Sequence, residues 1–299
     1  MHAGAAAHGG NPVILGVWDE EKLIAGTSFV EISRGGLKKA TTPLLTPYGG
    51  FIYADELAGV YADNESLKLL CAEKLISYLQ KEYDNVFLVH SPGFSDIRPF
   101  SWQGWGERVR YTYLVDITDR DLAAKRLRSR AKRKIKKAVE TVEIGGGITA
   151  EQVGRLYARI FRDRDRIPPV SENMVATLVG NLMKFDWIEM ITAREKNGDV
   201  IALQLLVLDK KTVYTWIYGT LPEKNYSGAD SLLIWKAAEC YAGKYSTLDL
   251  VGANIPEIAF FKKGFGGILT PHYVTEYYSS AMTRTAFGVY SFVKGMVKK

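Results

Sequence analysis

The stretch Phe261-Lys262-Lys263-Gly264-Phe265-Gly266-Gly267 sets two lysines between aromatic rings and glycines. Such a pair is either a solvated turn or a charge held for chemistry. Other side chains raise the same choice. Tyr214, Trp216 and Tyr218 alternate along one strand-like run, and a period of two puts them on one face. Ser227, Gly228 and Asp230 stand where a helix should begin, and a helix N-terminus favours anions. An ordinary cap reads equally well there. "DLVGAN" ends a strand with Asp249, Gly252 and Asn254; Asn254 reads as a substrate ligand and Asp249 as a structural partner. In "SPGFSDIRPF", Asp96 and Arg98 either pair with each other or bind an acceptor.

The strongest charge feature is a predicted helix over 122–140. Nine basic side chains against Glu140 give it +8, whereas the whole chain carries +6. Leu127, Ala131, Ile135 and Ala138 form a narrow apolar stripe, so one side docks and the other shows charge. Arg130, Arg133, Lys134 and Lys137 stand for its anion-binding side. Three readings compete: RNA phosphates, an anionic acceptor such as a nucleotide-sugar or lipid headgroup, or a solvated face.

These residues need a scaffold. The chain has 299 residues, 47% hydrophobic and 24% charged, which predicts a folded protein with room for two domains. Cys71 and Cys240 both fall in helical patterns and read as buried free thiols of a reducing compartment. Four histidines form no metal pattern. No run reaches the ~18–20 apolar residues of a membrane span, and "MHAGAAAHGG" has no signal-peptide pattern. A cytoplasmic location is the expectation.

Runs 13–18 and 23–32 read as a hairpin, 41–53 as a loop, 65–82 as a helix, and 85–90 and 110–117 as strands. Thr118 to Asp121 spells a capping box for the basic helix, and Thr149 caps another to about Arg162. A third helix follows over 172–184, then strands, a helix over 228–243 and two closing strands. Apolar residues from Met282 to Val297 recur at helical spacing and read as a helix packed on the second domain or lying on a membrane surface.

The element order repeats. "PFSWQGWG" and "AFFKKGFG" follow a helix and a short strand in each half, placing Phe100 opposite Phe260, Gly104 opposite Gly264 and Trp102 opposite Lys262. On that register a lysine is the addition peculiar to one half.

"RYTYLVDI", "RKIKKAVE", "IPPVS", "LDLVGAN" and "FKKGFGG", with the P-F-x-W-x-G of the first half, resemble in order and spacing the FemAB/FemX-like branch of the GNAT acyltransferase superfamily. The resemblance covers about residues 13–280. It implies an α/β fold of tandem GNAT-like domains with mixed sheets flanked by helices. The first domain, 1–117, is abbreviated, because it lacks a helical pair like that of 149–184. The second, 118–299, is complete and opens with the basic helix. It also implies transfer of an activated acyl or aminoacyl group to an amine of a cell-envelope precursor or amino sugar. Lys262 then stabilises the oxyanion, Tyr218 manages a proton, Ser227, Gly228 and Phe261 meet the donor, and Asn254, Asp96 and Arg98 meet the acceptor. No tightly bound cofactor is expected. The donor is acyl-CoA or an aminoacyl-tRNA, the acceptor an anionic small molecule or a lipid-linked one, with peripheral membrane contact compatible. An acetyl-CoA-dependent N-acetyltransferase and a non-catalytic RNA- or anion-binding protein on a GNAT scaffold are the alternatives.

Overall fold

The computed structural model describes residues 9–57, 62–163 and 166–288, apart from the side chains of 62–63 and 225–227. In chain order the elements are β1 (Asn11–Asp19), β2 (Lys22–Arg34), β3 (Leu37–Thr41), β4 (Phe51–Tyr53), α1 (Ala62–Glu82), β5 (Asn85–Val89), α2 (Arg98–Trp102) and β6 (Gly106–Asp116). Then come α3 (Arg120–Arg126), α4 (Ser129–Thr141), β7 (Glu143–Gly145), α5 (Ala150–Arg162), α6 (Glu172–Leu182), β8 (Ile188–Arg194), β9 (Val200–Leu208) and β10 (Thr212–Thr220). The last are α7 (Ala229–Tyr241), β11 (Thr247–Asp249), α8 (Pro256–Lys262) and β12 (Ile268–Tyr278). Residues 281–288 are helical; Val289, Tyr290, Val293, Met296 and Val297 of the expected C-terminal helix lie outside the described residues.

The chain divides into two compact units, Met1–Arg110 with Pro271–Lys299, and Tyr111–Thr270. The boundary expected at 117/118 therefore differs from the one observed, because the chain from Pro271 groups with the first unit. The reason is strand pairing. Residues 274–278 of β12 pair with β5, and residues 114–116 of β6 pair with β11.

In the first unit β1, β2, β3, β5 and β12 lie side by side, with β4 on β2. Alternating residues of β2 and β5 meet the apolar face of α1 in a core of Phe29, Ile76, Leu79, Val86, Leu88 and Phe100. His90 is buried in an aromatic nest, 4.6 Å from the stacked Phe94 ring and 5.0 Å from Phe100. Its Nε2 shares a hydrogen bond with Thr275 Oγ1 at 2.9 Å. Burial pushes His90 down to about 3, with His272 adding to the effect, and burial pushes His272 down to about 4. Between those values and the ordinary 6.5 the unfolded chain binds protons that the folded one refuses. Stability is therefore present above pH 6.5 and lost as pH falls through 4 and 3, by on the order of several kcal/mol. Melting followed by circular dichroism should show the midpoint dropping steeply below pH 6.5. His90→Phe should flatten that slope.

In the second unit the order is β6, β11, β10, β9, β8 and β7. Both faces of β9 are buried, so it reads as a nearly continuous apolar run. Its core residues Ile201 and Ala202 cluster with Leu232 and Leu233 of α7, and Leu206 clusters with Ile234. Thr149 caps α5 through a reciprocal box with Gln152.

Three expectations need correction. The helix expected over 122–140 is broken into α3 and α4, because Leu127 is extended and the Arg128 N–H donates to the Gly264 carbonyl at 2.9 Å. Its cap is Asp119, which accepts the Leu122 N–H, while Thr118 bonds Asp116 instead. Cys71 is buried as expected, but Cys240 is exposed.

The duplication holds in a different register. Each unit has a parallel pair that runs for three residue pairs, Lys39–Thr41 with Asn85–Phe87 and Thr212–Tyr214 with Thr247–Asp249. Each then has a short helix, a glycine at positive φ (Gly104 at 77°, Gly266 at 74°) and, two residues later, an 11-residue strand. With Asn85 set on Thr247, Gly104 falls on Gly266 and Phe100 on Lys262. Phe100 and Lys262 are both fully buried, whereas Trp102 is 61% exposed. Lys262 thus stands where the other copy has a buried phenyl ring, and Trp102 is not its counterpart.

Candidate active site

Parallel strands that part after three pairs must do something with the backbone they expose. In the first unit the parting is closed. Thr42 N–H bonds the Phe87 carbonyl at 2.9 Å, Gly49 N–H bonds the Val89 carbonyl at 2.8 Å, and Thr42 Oγ1 accepts the Val89 N–H at 3.0 Å. In the second unit the chain after β11 follows β6 instead, through Leu250 N–H to Tyr113 and Ala253 N–H to Tyr111. It turns at Val251 (φ 47°) and Gly252 (φ 83°). A β-branched residue at positive φ is strained, by about 1–3 kcal/mol, and persists only where its surroundings fix it.

Two groups fix it. Asp249, fully buried, accepts the Thr112 hydroxyl at 2.5 Å and the Val251 N–H at 2.8 Å. Lys262, 1% exposed at the end of α8, donates from Nζ to the carbonyls of Val251 and Gly252, both at 2.7 Å. Its Nζ also lies 5.1 Å from the Tyr218 ring centre on β10. The side chain therefore bridges the two strands where they part. An ammonium has three donors, and two are committed to the main chain. Burial pushes its pKa down to about 7, and the Asp249 charge partly opposes this. The lysine is thus poised between charged and neutral near neutral pH.

On β10, Val213, Thr215 and Ile217 are buried, whereas Tyr214, Trp216 and Tyr218 are half-buried. The aromatic face is therefore not the core face. Pairing with β9 shifts register between Thr215 and Ile217, so Trp216 sits in a bulge beside the parting strands. Nothing in the residue types announces this bulge. It is a property of the pairing.

The other expected residues take different places. Gly228 at φ 77° precedes α7, and a Cβ there would meet the Lys134 carbonyl at 2.6 Å. Close approach of α4 is what requires this glycine. The first turn of α7 already holds a carboxylate, Asp230, which accepts the Ser231 N–H at 2.6 Å and pairs with Lys134 at 3.5 Å. Gly228→Ala should therefore destabilise the protein by about 2 kcal/mol or more, from left-handed strain together with the clash, read as a lowered melting temperature. The Ser227 side chain lies outside the described residues. Phe261 is half-buried against the core, edge-on to Phe265 at 5.4 Å and under Lys134 Nζ at 5.5 Å, so its ring does structural work.

Asn254 Oδ1 accepts the Tyr111 N–H at 2.9 Å, and the side chain acts as a clasp on β6. In the first unit Arg98 pairs with both oxygens of Asp96, at 2.9 and 2.7 Å, and with Glu65 at 2.6 Å. Of the two readings for Asp96 and Arg98, mutual pairing is the one present. On α4, Arg130 lies over the Phe260 ring at 5.1 Å, and Arg133 and Lys137 are exposed. The structure brings Lys262, Tyr218, Asp249 and the Val251–Gly252 turn together, and the basic side chains form a separate surface.

Residues 125–263 match the acetyltransferase (GNAT) domain model. No curated protein sequence matches the chain. Among solved structures, FemX is similar at 11% identity with a TM-score of 0.66, covering 92% of this chain and 90% of that one. The C-terminal domain of a lysylphosphatidylglycerol synthetase from Agrobacterium fabrum gives 11%, 0.59, 95% and 90%. A tandem GNAT protein from the clavulanic acid biosynthesis pathway gives 10%, 0.50, 90% and 83%. Residues 125–263 therefore match a GNAT acetyltransferase domain, and the chain shares its fold with FemX and with a tandem GNAT protein.

Proposed function

We propose that the chain transfers an acyl group from acyl-CoA to an amine, with the acceptor a cell-envelope precursor or an amino sugar. The observation that carries this is the buried Lys262 ammonium bridging β10 and β11 where they part, inside the GNAT-matched segment. The acceptor class rests on the FemX-like fold.

The amine attacks the thioester carbonyl, a C–N bond forms, and the oxygen takes the electron pair. A cation in a dry cleft is worth most at that moment, because it stabilises charge present only in the transition state. The third Nζ donor of Lys262 serves the oxyanion. The C–S bond then breaks, the amine loses its proton, and the departing thiolate takes one from Tyr218, which is restored from the amine. In the first unit the same parting is closed by Thr42 and Gly49, and its lysine position is Phe100, so the chemistry belongs to the second copy.

The test is a thermal-shift comparison of acetyl-CoA with bulk charged tRNA at two salt concentrations. Acetyl-CoA should stabilise the protein independently of salt, by about 2.7 kcal/mol at a hundredfold excess over Kd. A salt-sensitive response to charged tRNA alone would replace acyl-CoA by an aminoacyl donor. Release of free thiol from acetyl-CoA in the presence of glucosamine-type acceptors then tests the acceptor class.

A further inference from the structure

We propose that the face built from α4, the outer side of α8 and the start of β12 docks onto anionic lipid bilayers. The charge comes from α4. Arg128, Arg130, Lys132, Arg133 and Lys136 are exposed, and none pairs with a carboxylate among the described residues. The neighbouring basic residues Arg126 and Lys134 are paired, with Asp116 and Asp230. A helix with this much uncompensated positive charge attracts an anionic surface at about 1 kcal/mol per side chain, a five-fold factor in partition.

Charge alone would suit RNA equally. The apolar side chains decide. Phe260 is 64% exposed, Ile268 73% and Leu269 49%. They belong to the same rim as the basic residues. Arg130 lies 5.1 Å over Phe260, the Arg128 N–H bonds the Gly264 carbonyl at 2.9 Å, and a Cβ on Gly266, just before Ile268, would run into the Arg126 carbonyl. The phosphate backbone that a basic helix would grip gains nothing from exposed isoleucine and leucine. A bilayer does, since interfacial binding grows with the apolar area buried below the headgroups and with attraction to anionic lipid. Arginine beside an exposed ring matches this boundary too, its guanidinium at headgroup depth and the ring below. The proposal does not depend on the identity of donor or acceptor.

Sedimentation of the full chain with vesicles tests it, comparing pure phosphatidylcholine with vesicles about one third phosphatidylglycerol. Binding to the anionic vesicles only is expected. Lys132→Gln with Arg133→Gln should weaken partition about 25-fold. Ile268→Ser with Leu269→Ser should weaken it at physiological salt although every charge remains. The substituted side chains are exposed, and circular dichroism confirms that each variant folds. Absence of pelleting with anionic vesicles overturns the proposal. So does binding that the Ile268/Leu269 variant leaves unchanged, which would mean plain adsorption of charge, and so does a gel shift with tRNA by a protein that ignores vesicles.

Discussion

Lys262→Met is expected to lower acyl transfer about 10²–10³-fold while the chain still folds. Methionine keeps the unbranched apolar stem and deletes the charge. The stability terms nearly offset. Two carbonyls, those of Val251 and Gly252, lose their donor, at about 1–3 kcal/mol each if they stay dry. Against this, a cation whose burial is costly enough to lower its pKa to about 7 no longer has to be desolvated. The check is free-thiol release under saturating donor, set beside a melting curve. Turnover within about threefold of the parent, with the fold intact, would reduce Lys262 to a clamp on the strained turn.

The same lysine fixes a sign. Its charged form declines as pH rises through about 7, so transfer should have a basic limb there, and that limb should vanish from the residual activity of Lys262→Met. Stability should move the other way. Between pH 7 and the ordinary 10.5 the unfolded chain holds a proton on this lysine that the folded chain has released. By linkage, stability rises with pH across that window. Activity falling while stability rises is hard to obtain from general alkaline damage, which lowers both.

Much of this frame is legible in the residues. The β1–β2 hairpin, α1, and the Thr149 cap of α5 follow from period and capping chemistry, and the helix expected over 172–184 is present as α6. β3 and β4 were hidden in and beside a run of Pro, Thr and Gly, because strands of five and three residues carry almost no periodicity. The break between α3 and α4 was also hidden. Arg and Lys favour helix throughout, and only the tertiary bond from Arg128 to Gly264 overrides them. The repeat was visible but two residues out of register. Matching aromatics and glycines by type aligned Gly104 with Gly264, whereas the glycine that shares its left-handed backbone is Gly266. Sequence could mark Lys262 as unusual. It could not show that the ammonium is buried between parting strands, because that depends on where Val251 turns.

Asp249→Asn should move the basic limb of the pH profile to lower pH and leave the acid-side rate near that of the parent. On the proposed mechanism Asp249 acts through Lys262 and not on a reacting atom, as a positioning residue. Its carboxylate accepts from Thr112 and from Val251, and its charge holds the Lys262 pKa higher than burial alone would. Asparagine is of the same size and its Oδ1 can still accept the Val251 N–H, so the turn that presents the two carbonyls can persist. What goes is the negative charge. Lys262 then gives up its proton at lower pH, and at pH 7 transfer falls about five-fold for the first unit the limb moves and about ten-fold for each unit beyond it. Lowering the pH should restore it. A purely structural role for Asp249 predicts a different result, a uniform loss at every pH with the limb in place. A limb that stays near 7 in this variant would therefore detach it from Lys262, and with it the assignment of the buried cation to the oxyanion.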